Sequence, residues 1–169
     1  AVAVVPLLQD PLFFALTATF CCSILGFMGT LVHLATYTEE LGCSADTYTT
    51  AYTAIGTVSI VGRVVLGLLA DKLGAVNVWS TSFVGFGLGV YGLAANRTCW
   101  QVIPLAAFAS GFCGSAFISL LMPVVTDLFG AKRIPEVLAN VFLFNGAFGF
   151  ASPAILGYVR DVTGDYQWS

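Results

Sequence analysis

One cation stands apart from every other charge in this chain. Arg63 lies in the stretch GRVVLGLLADKLG, residues 62–74, and it is the only charged residue between Thr47 and Ala70. A guanidinium presents a planar fork of donors and keeps its proton at any physiological pH. The chemistry it performs is anion capture, above all of a carboxylate, through paired hydrogen bonds. The other residues able to do chemistry are few. Asn145, in VFLFNGAFG, falls mid-span and either lines the same cavity as Arg63 or bonds to a neighbouring helix. His33 is able to titrate and reads first as a hydrogen-bonded structural histidine. Among the five cysteines, Cys21, Cys22 and Cys113 sit in apolar runs and read as small packing residues. Cys43 and Cys99 fall in two loops on one side; a disulfide and two free thiols are both open, because spacing alone does not establish proximity. There is no CxxC, no partner for His33 at zinc spacing, no nucleophile–base pairing and no phosphate loop, so neither a metal, a cofactor nor an enzyme is expected.

The elements that must position Arg63 follow from composition. Of 169 residues, 58% are hydrophobic and 9% charged, and the mean hydropathy is +0.91. Soluble domains carry about 25% charged residues, so this is a membrane protein. A net charge of −3 without a basic stripe excludes nucleic-acid binding. Five segments are long and apolar enough to cross a bilayer: residues 11–37, 47–70, 75–95, 100–126 and 137–159. TEELGCSAD, DKLG, NRTC and DLFGAKRIPE separate them and hold nearly all the charge. Short connections make neighbouring helices antiparallel, giving an all-α transmembrane bundle with no separate soluble domain. The chain starts at Ala1 without a signal-peptide pattern and stops just after an apolar segment, so it reads as a fragment of residues 1–169. With residues 1–10 cytoplasmic, Lys72, Lys132 and Arg133 lie inside and Arg97 and Arg160 outside, a weak positive-inside bias. The sequon Asn96-Arg97-Thr98 then lies outside, in a loop too short to favour modification.

Arg63 is eight residues before Asp71, which marks the inner end of the second span, so it lies about 12 Å deeper, near the midplane. A charge there costs on the order of 2.5–3.5 kcal/mol, and its side chain is too short to reach the interface. Tyr52, Gly56, Ser59, Gly67 and Ala70 share its stripe, all small, polar or amphipathic. Ile55, Val58, Val61, Val65 and Leu69 lie opposite and suit lipid. The expectation is that the Arg63 stripe faces the bundle interior or a wet cavity. Tyr52, Ser59, Asn145 and Phe117 are its candidate companions. Gly85 and Gly89, Ala107, Gly111 and Ser115, and Gly146 and Gly149 mark close helix packing. Pro123 and Pro153 are expected bend points.

The helix end GRVVLGLLADKLG resembles the cytoplasmic loop motif of the major facilitator superfamily, here carried by Gly62, Gly67, Asp71 and Lys72. LVHLATYTEELG, DLFGAKRIPEVLANVFLFNG and SPAILGYVRDVTGDY, in that order, are similar to the monocarboxylate transporter family, so the likeness covers essentially the whole chain. It implies the C-terminal half of a twelve-helix transporter, with the five spans as helices seven to eleven. It implies a plasma-membrane protein moving small organic anions, in some relatives as a symporter, by alternating access between two halves. It implies as partners the N-terminal half, the bilayer, the anion and a single-span accessory glycoprotein. It places Arg63 at the substrate arginine. Three positions depart from the pattern: Ser59 stands where lactate-type members carry Asp, Gly114 falls near their tenth-helix aromatic, and Ala151-Ser152-Pro153 replaces Gly-Pro-Pro. The alternative is a non-transporting receptor, chaperone-like protein or decayed relative on the same scaffold.

Overall fold

The computed structural model describes residues 10–163; the N-terminal tail, residues 164–169 and the Arg160 side chain lie outside the described residues. Helix α1 is Pro11–Glu40, α2 is Ala45–Leu73 and α3 is Ala75–Ala95. The fourth span is broken into α4 (Cys99–Ala106), a π-helical stretch (Ala107–Cys113), α5 (Gly114–Ser119) and α6 (Leu121–Phe129). A 3-10 turn, Ala131–Arg133, leads into α7 (Ile134–Thr163). Five helical stretches are long and apolar enough to cross a membrane: Pro11–Glu40, Ala45–Leu73, Ala75–Ala95, Cys99–Ser119 and Ala131–Val159.

The helix ends follow local chemistry. Asp10 caps α1 by accepting from the Leu12 N–H at 3.0 Å, with Pro11 in the first turn, where its missing donor costs nothing. Gly74 joins α2 to α3 at φ +89°, a conformation that favours glycine, while Asp46 and Lys72 complement the α2 dipole at its two ends. The break between α5 and α6 falls at Leu120, three residues before Pro123, which has no N–H to return to the Ser119 carbonyl. Pro153, by contrast, is absorbed within α7, which continues through it.

Packing divides into two seams. Helix α1 lies along α7, while α2 lies along α4 and the π-helical stretch, with α3 against α2 and that stretch. The core nearer the Gly74 turn holds Phe13, Phe20, Trp79, Phe86, Phe117 and Leu121; a smaller one nearer the opposite ends holds Leu34, Ala51, Ile55, Leu93 and Val102. Small residues set the approach of the helices. A Cβ placed on Gly111 would stand 2.9 Å from the Ile55 carbonyl oxygen, and one on Gly89 would stand 2.7 Å from Ala109 Cβ. The π-helical stretch thus presents Ala109 and Gly111 to α3 and α2 at backbone distance, which is how helices associate where lipid removes most of the hydrophobic drive.

The ends opposite the Gly74 turn are tied covalently. Cys43 and Cys99 form a disulfide, with Cα atoms 5.6 Å apart, joining the α1–α2 turn to the start of α4. The Tyr37 hydroxyl lies 2.6 Å from Leu93 O and 2.8 Å from Asn96 O, holding α1 to the end of α3. Asn96 itself is buried; its amide donates to Thr98 O at 2.8 Å, while its Oδ1 accepts from the Thr98 N–H and hydroxyl. The sequon asparagine is therefore a turn-forming residue whose acceptor nitrogen is already engaged.

The Gly111 contact is with backbone, so neither side has a flexible atom to move. Gly111→Ala in the full-length protein is expected to cost about 1–3 kcal/mol through overpacking. Gly87→Ala, at a site with open space around it, is expected to be neutral or mildly stabilising. Thermal unfolding in detergent checks both; equal melting temperatures for the two variants would contradict the packing.

Candidate functional site

Arg63 is held by the residue before it. Gly62 is buried against the fourth span; a Cβ on it would meet Ser115 Oγ at 2.5 Å and Phe112 O at 3.0 Å. Ala51, Ile55, Gly62, Leu66 and Ala70 form the face by which α2 packs. One residue along a helix is a rotation of about 100°, so Arg63 projects away from that contact and is exposed on the surface of the five-span unit. Apart from Ala70, the Arg63 stripe does not pack in the interior of this unit, and Ile55, expected toward lipid, is buried in it while Val61 stays exposed. Polarity did not choose the packed face; the close fit of Gly62 and Gly111 did.

Around Arg63 the exposed side of α2 is small and hydroxylated. Ser59 Oγ donates to Gly56 O at 2.8 Å. Thr53 and Thr57 return their hydroxyls to Thr49 O at 3.0 Å and Thr53 O at 2.9 Å. These threonines were not singled out from the sequence, although their spacing of four was the available signal. Tyr52 is 36% exposed and its hydroxyl donates to Leu31 O on α1, so its ring bridges α2 to α1 on the same side. Gly67 has open space around it, unlike Gly62, and Asp71 and Lys72 are exposed at the Gly74 end of α2. An ion pair joins Arg133 to Glu136, at 3.7 Å and one turn apart; Arg63 makes none among the described residues.

The remaining expected companions lie elsewhere. Phe117 is not beside Arg63; it is buried in the aromatic core, stacked on Phe83 at 4.5 Å and edge-on to Phe86 at 5.1 Å. Asn145 is on α7, which packs along α1 rather than α2, so the unit does not bring it to Arg63. Its Oδ1 is buried without a hydrogen-bond partner among the described residues. A cavity of about 110 Å³ opens between α1, α3 and α7, lined by Gly26, Thr30, His33, Tyr37, Val90 and Leu156 among others. Another, of about 330 Å³, lies between α2, α3 and the π-helical stretch and includes Leu66, Asn77, Gly85 and Phe112. Neither includes Arg63. No cluster of three or more metal-ligating side chains occurs among the described residues.

Five helices long and apolar enough to cross a membrane define a polytopic membrane protein. The chain belongs to the major facilitator superfamily, whose family pattern matches residues 12–169. It is 25% identical to monocarboxylate transporter 12 of Xenopus laevis over 163 residues, 94% of this chain and 35% of that protein. It is 28% identical to monocarboxylate transporter 13 of Rattus norvegicus, over 85% of this chain and 34% of that protein. A probable transporter of Saccharomyces cerevisiae, MCH2, is 26% identical over 79% of this chain. The chain spans about a third of the length of these relatives. It is an integral membrane protein of a transporter family, and that family is not enzymatic.

An unpaired buried carbonyl of the Asn145 kind costs about 1–3 kcal/mol. Asn145→Leu is expected to raise the melting temperature of the full-length protein, measured in detergent. A lowered melting temperature would show that Oδ1 finds its partner outside these five spans.

Proposed function

We propose that the chain is part of a secondary transporter of a small organic anion, a monocarboxylate or a related solute, and that Arg63 is the cationic anchor for that anion. The observation that carries this reading is the placing of an always-charged side chain near mid-depth, exposed on α2 and without an ion-pair partner among the described residues. Lipid is a poor neighbour for such a group, whereas a carboxylate entering a wet cleft between two halves offsets its desolvation with charge-assisted hydrogen bonds. The hydroxylated strip of Thr53, Thr57 and Ser59 beside it suits the wall of such a cleft. In the working cycle this unit would rock as a body, held by the Gly62–Ser115 and Gly111–Ile55 contacts, while access to Arg63 alternates between the two sides. The names of the relatives support the solute class, and the Cys43–Cys99 disulfide supports an orientation with those loops on the oxidising side of the membrane. A plasma-membrane location fits the same orientation.

The test is uptake by the full-length protein in proteoliposomes, using a panel of radiolabelled short-chain carboxylates. Loss of a hydrogen-bonded charge is worth about 1.5–3 kcal/mol, so Arg63→Ala is expected to lower uptake on the order of tenfold to a hundredfold, with Arg63→Lys intermediate. Normal uptake by Arg63→Ala would remove the anchoring role. No uptake of any solute by the parent protein would favour a non-transporting receptor or chaperone-like relative, a reading that the absence of a carboxylate at Ser59 already gives some ground.

A further inference from the structure

The cavity of about 330 Å³ is a cleft between α2, α3 and the π-helical stretch. It starts at the Gly74 turn, where one apolar span ends and the next begins, with Leu73 on α2 and Asn77 on α3. It ends deeper in the unit, at Gly85 beside Cys113. The helix rises about 12 Å from Asn77 to Gly85, close to the ~15 Å depth of one leaflet's hydrocarbon. Leu69, Leu73 and Phe108 form an exposed rim, and Leu66, Val78 and Cys113 a buried floor. Phe108 and Phe112 add a flat wall, their ring centres 6.4 Å apart and their planes 10° from parallel. The polar side chains of the cleft are turned back on the backbone one turn earlier. Asn77 Nδ2 donates to Leu73 O at 2.9 Å, Thr81 Oγ1 to Asn77 O at 2.8 Å and Ser82 Oγ to Val78 O at 2.8 Å. None of the described residues that line the cleft is charged.

We propose that this cleft holds one acyl chain of a bilayer lipid, lying along α3 from the Gly74 turn toward mid-span. Its chemistry and its shape select that occupant. Water stays in a cavity only where several polar groups hold it, and the amide and hydroxyls here already donate to backbone. A carboxylate needs a cation, and Arg63 lies about a quarter turn round α2 from Leu69 and Leu73, on another face. An empty cleft forfeits dispersion contacts along its whole lining, and a hydrocarbon chain restores them. The exposed rim opens the cleft at the surface of a membrane-spanning unit, and a leaflet's depth of groove matches a chain that enters from the membrane face. The chain lies beside the contacts that set the rotation of α2. A Cβ on Gly85 would stand 2.8 Å from Cys113 Sγ, and Phe112 carries the carbonyl on which Gly62 packs. An occupied cleft therefore props α2 and α3 against the fourth span below the Gly62 contact.

Photolabelling of the full-length protein tests this. The protein is reconstituted in phosphatidylcholine vesicles containing a trace of phosphatidylcholine with a diazirine within one acyl chain, irradiated, digested and mapped by mass spectrometry. Labelling of Leu66, Val78 and Cys113 is expected to exceed several-fold that of Val102 and Val124, which are buried outside the cleft. Thr81→Phe and Ser82→Leu fill the cleft and are expected to lower labelling of its floor several-fold. Val84→Phe, exposed on α3 and not lining the cleft, is expected to leave that labelling unchanged. Thr81 is exposed at the rim, so Thr81→Phe carries the test where the buried Ser82→Leu fails to fold. A floor labelled no more than Val102 and Val124, as where another helix of the full-length protein fills the cleft, overturns the proposal. Floor labelling that Thr81→Phe leaves unchanged overturns it too, as does labelling by a photoreactive sterol in preference to phosphatidylcholine. The measurement needs no transported solute, so its outcome is independent of the transporter reading.

Discussion

A charge in hydrocarbon must be answered by something, and that constraint organises what this chain can be. Arg63 lies within the apolar α2, is exposed on the five-span unit and has no ion-pair partner among the described residues. Its neighbour Gly62 is meanwhile packed closely against the fourth span, where a Cβ would press on Ser115 Oγ and the Phe112 backbone. The two facts are one design: the glycine fixes the rotation of α2, and the rotation turns the guanidinium outward from the core. What answers the charge must come from beyond this unit, as water, as an anion or as the facing half of a transporter.

The rest of the unit is built to keep that presentation rigid. Helices that meet through glycine and alanine gain close dispersion contact without needing a hydrophobic effect between them. The π-helical stretch Ala107–Cys113 places Ala109 and Gly111 where α3 and α2 need them. At the opposite ends, the Cys43–Cys99 disulfide, Tyr37 and the self-bonded Asn96 clamp α1, the α1–α2 turn, α3 and α4 together. Helix α7 packs along α1, and two polar ties cross that seam: Ser152 Oγ donating to Leu25 O at 2.6 Å, and the His33–Pro153 contact.

Much of the fold was legible in the residues. Hydropathy marked five spans because a bilayer imposes a length and excludes charge, and DKLG and DLFGAKRIPE marked turns because charge and glycine collect where helices stop. The break before Pro123 was legible too, since proline's missing donor acts locally. The packed face of α2 was not. In water the polar face of a helix faces out and the apolar face packs; in lipid both Ile55 and Val61 are acceptable to the surroundings, and small-residue fit across space decides which is buried. The same limit hid the aromatic core that claimed Phe117 and the π-helical register, and left the pairing of Cys43 with Cys99 open beside two free thiols; each depends on which helices are neighbours. Arg63 itself was legible at once, because a lone cation in an apolar run has so few explanations.

The direct test of the central claim is water access at position 63 in the full-length protein within its membrane, with Cys21, Cys22 and Cys113 replaced by Ala so that single cysteines can be introduced on α2. Arg63→Cys is expected to react with a charged, membrane-impermeant thiol reagent and to be protected by the transported carboxylate, while Val61→Cys and Val65→Cys stay unreactive. A cysteine at 63 that remains inert while its neighbours at 61 and 65 are labelled would contradict the account, because the guanidinium would then face lipid and no anion would reach it.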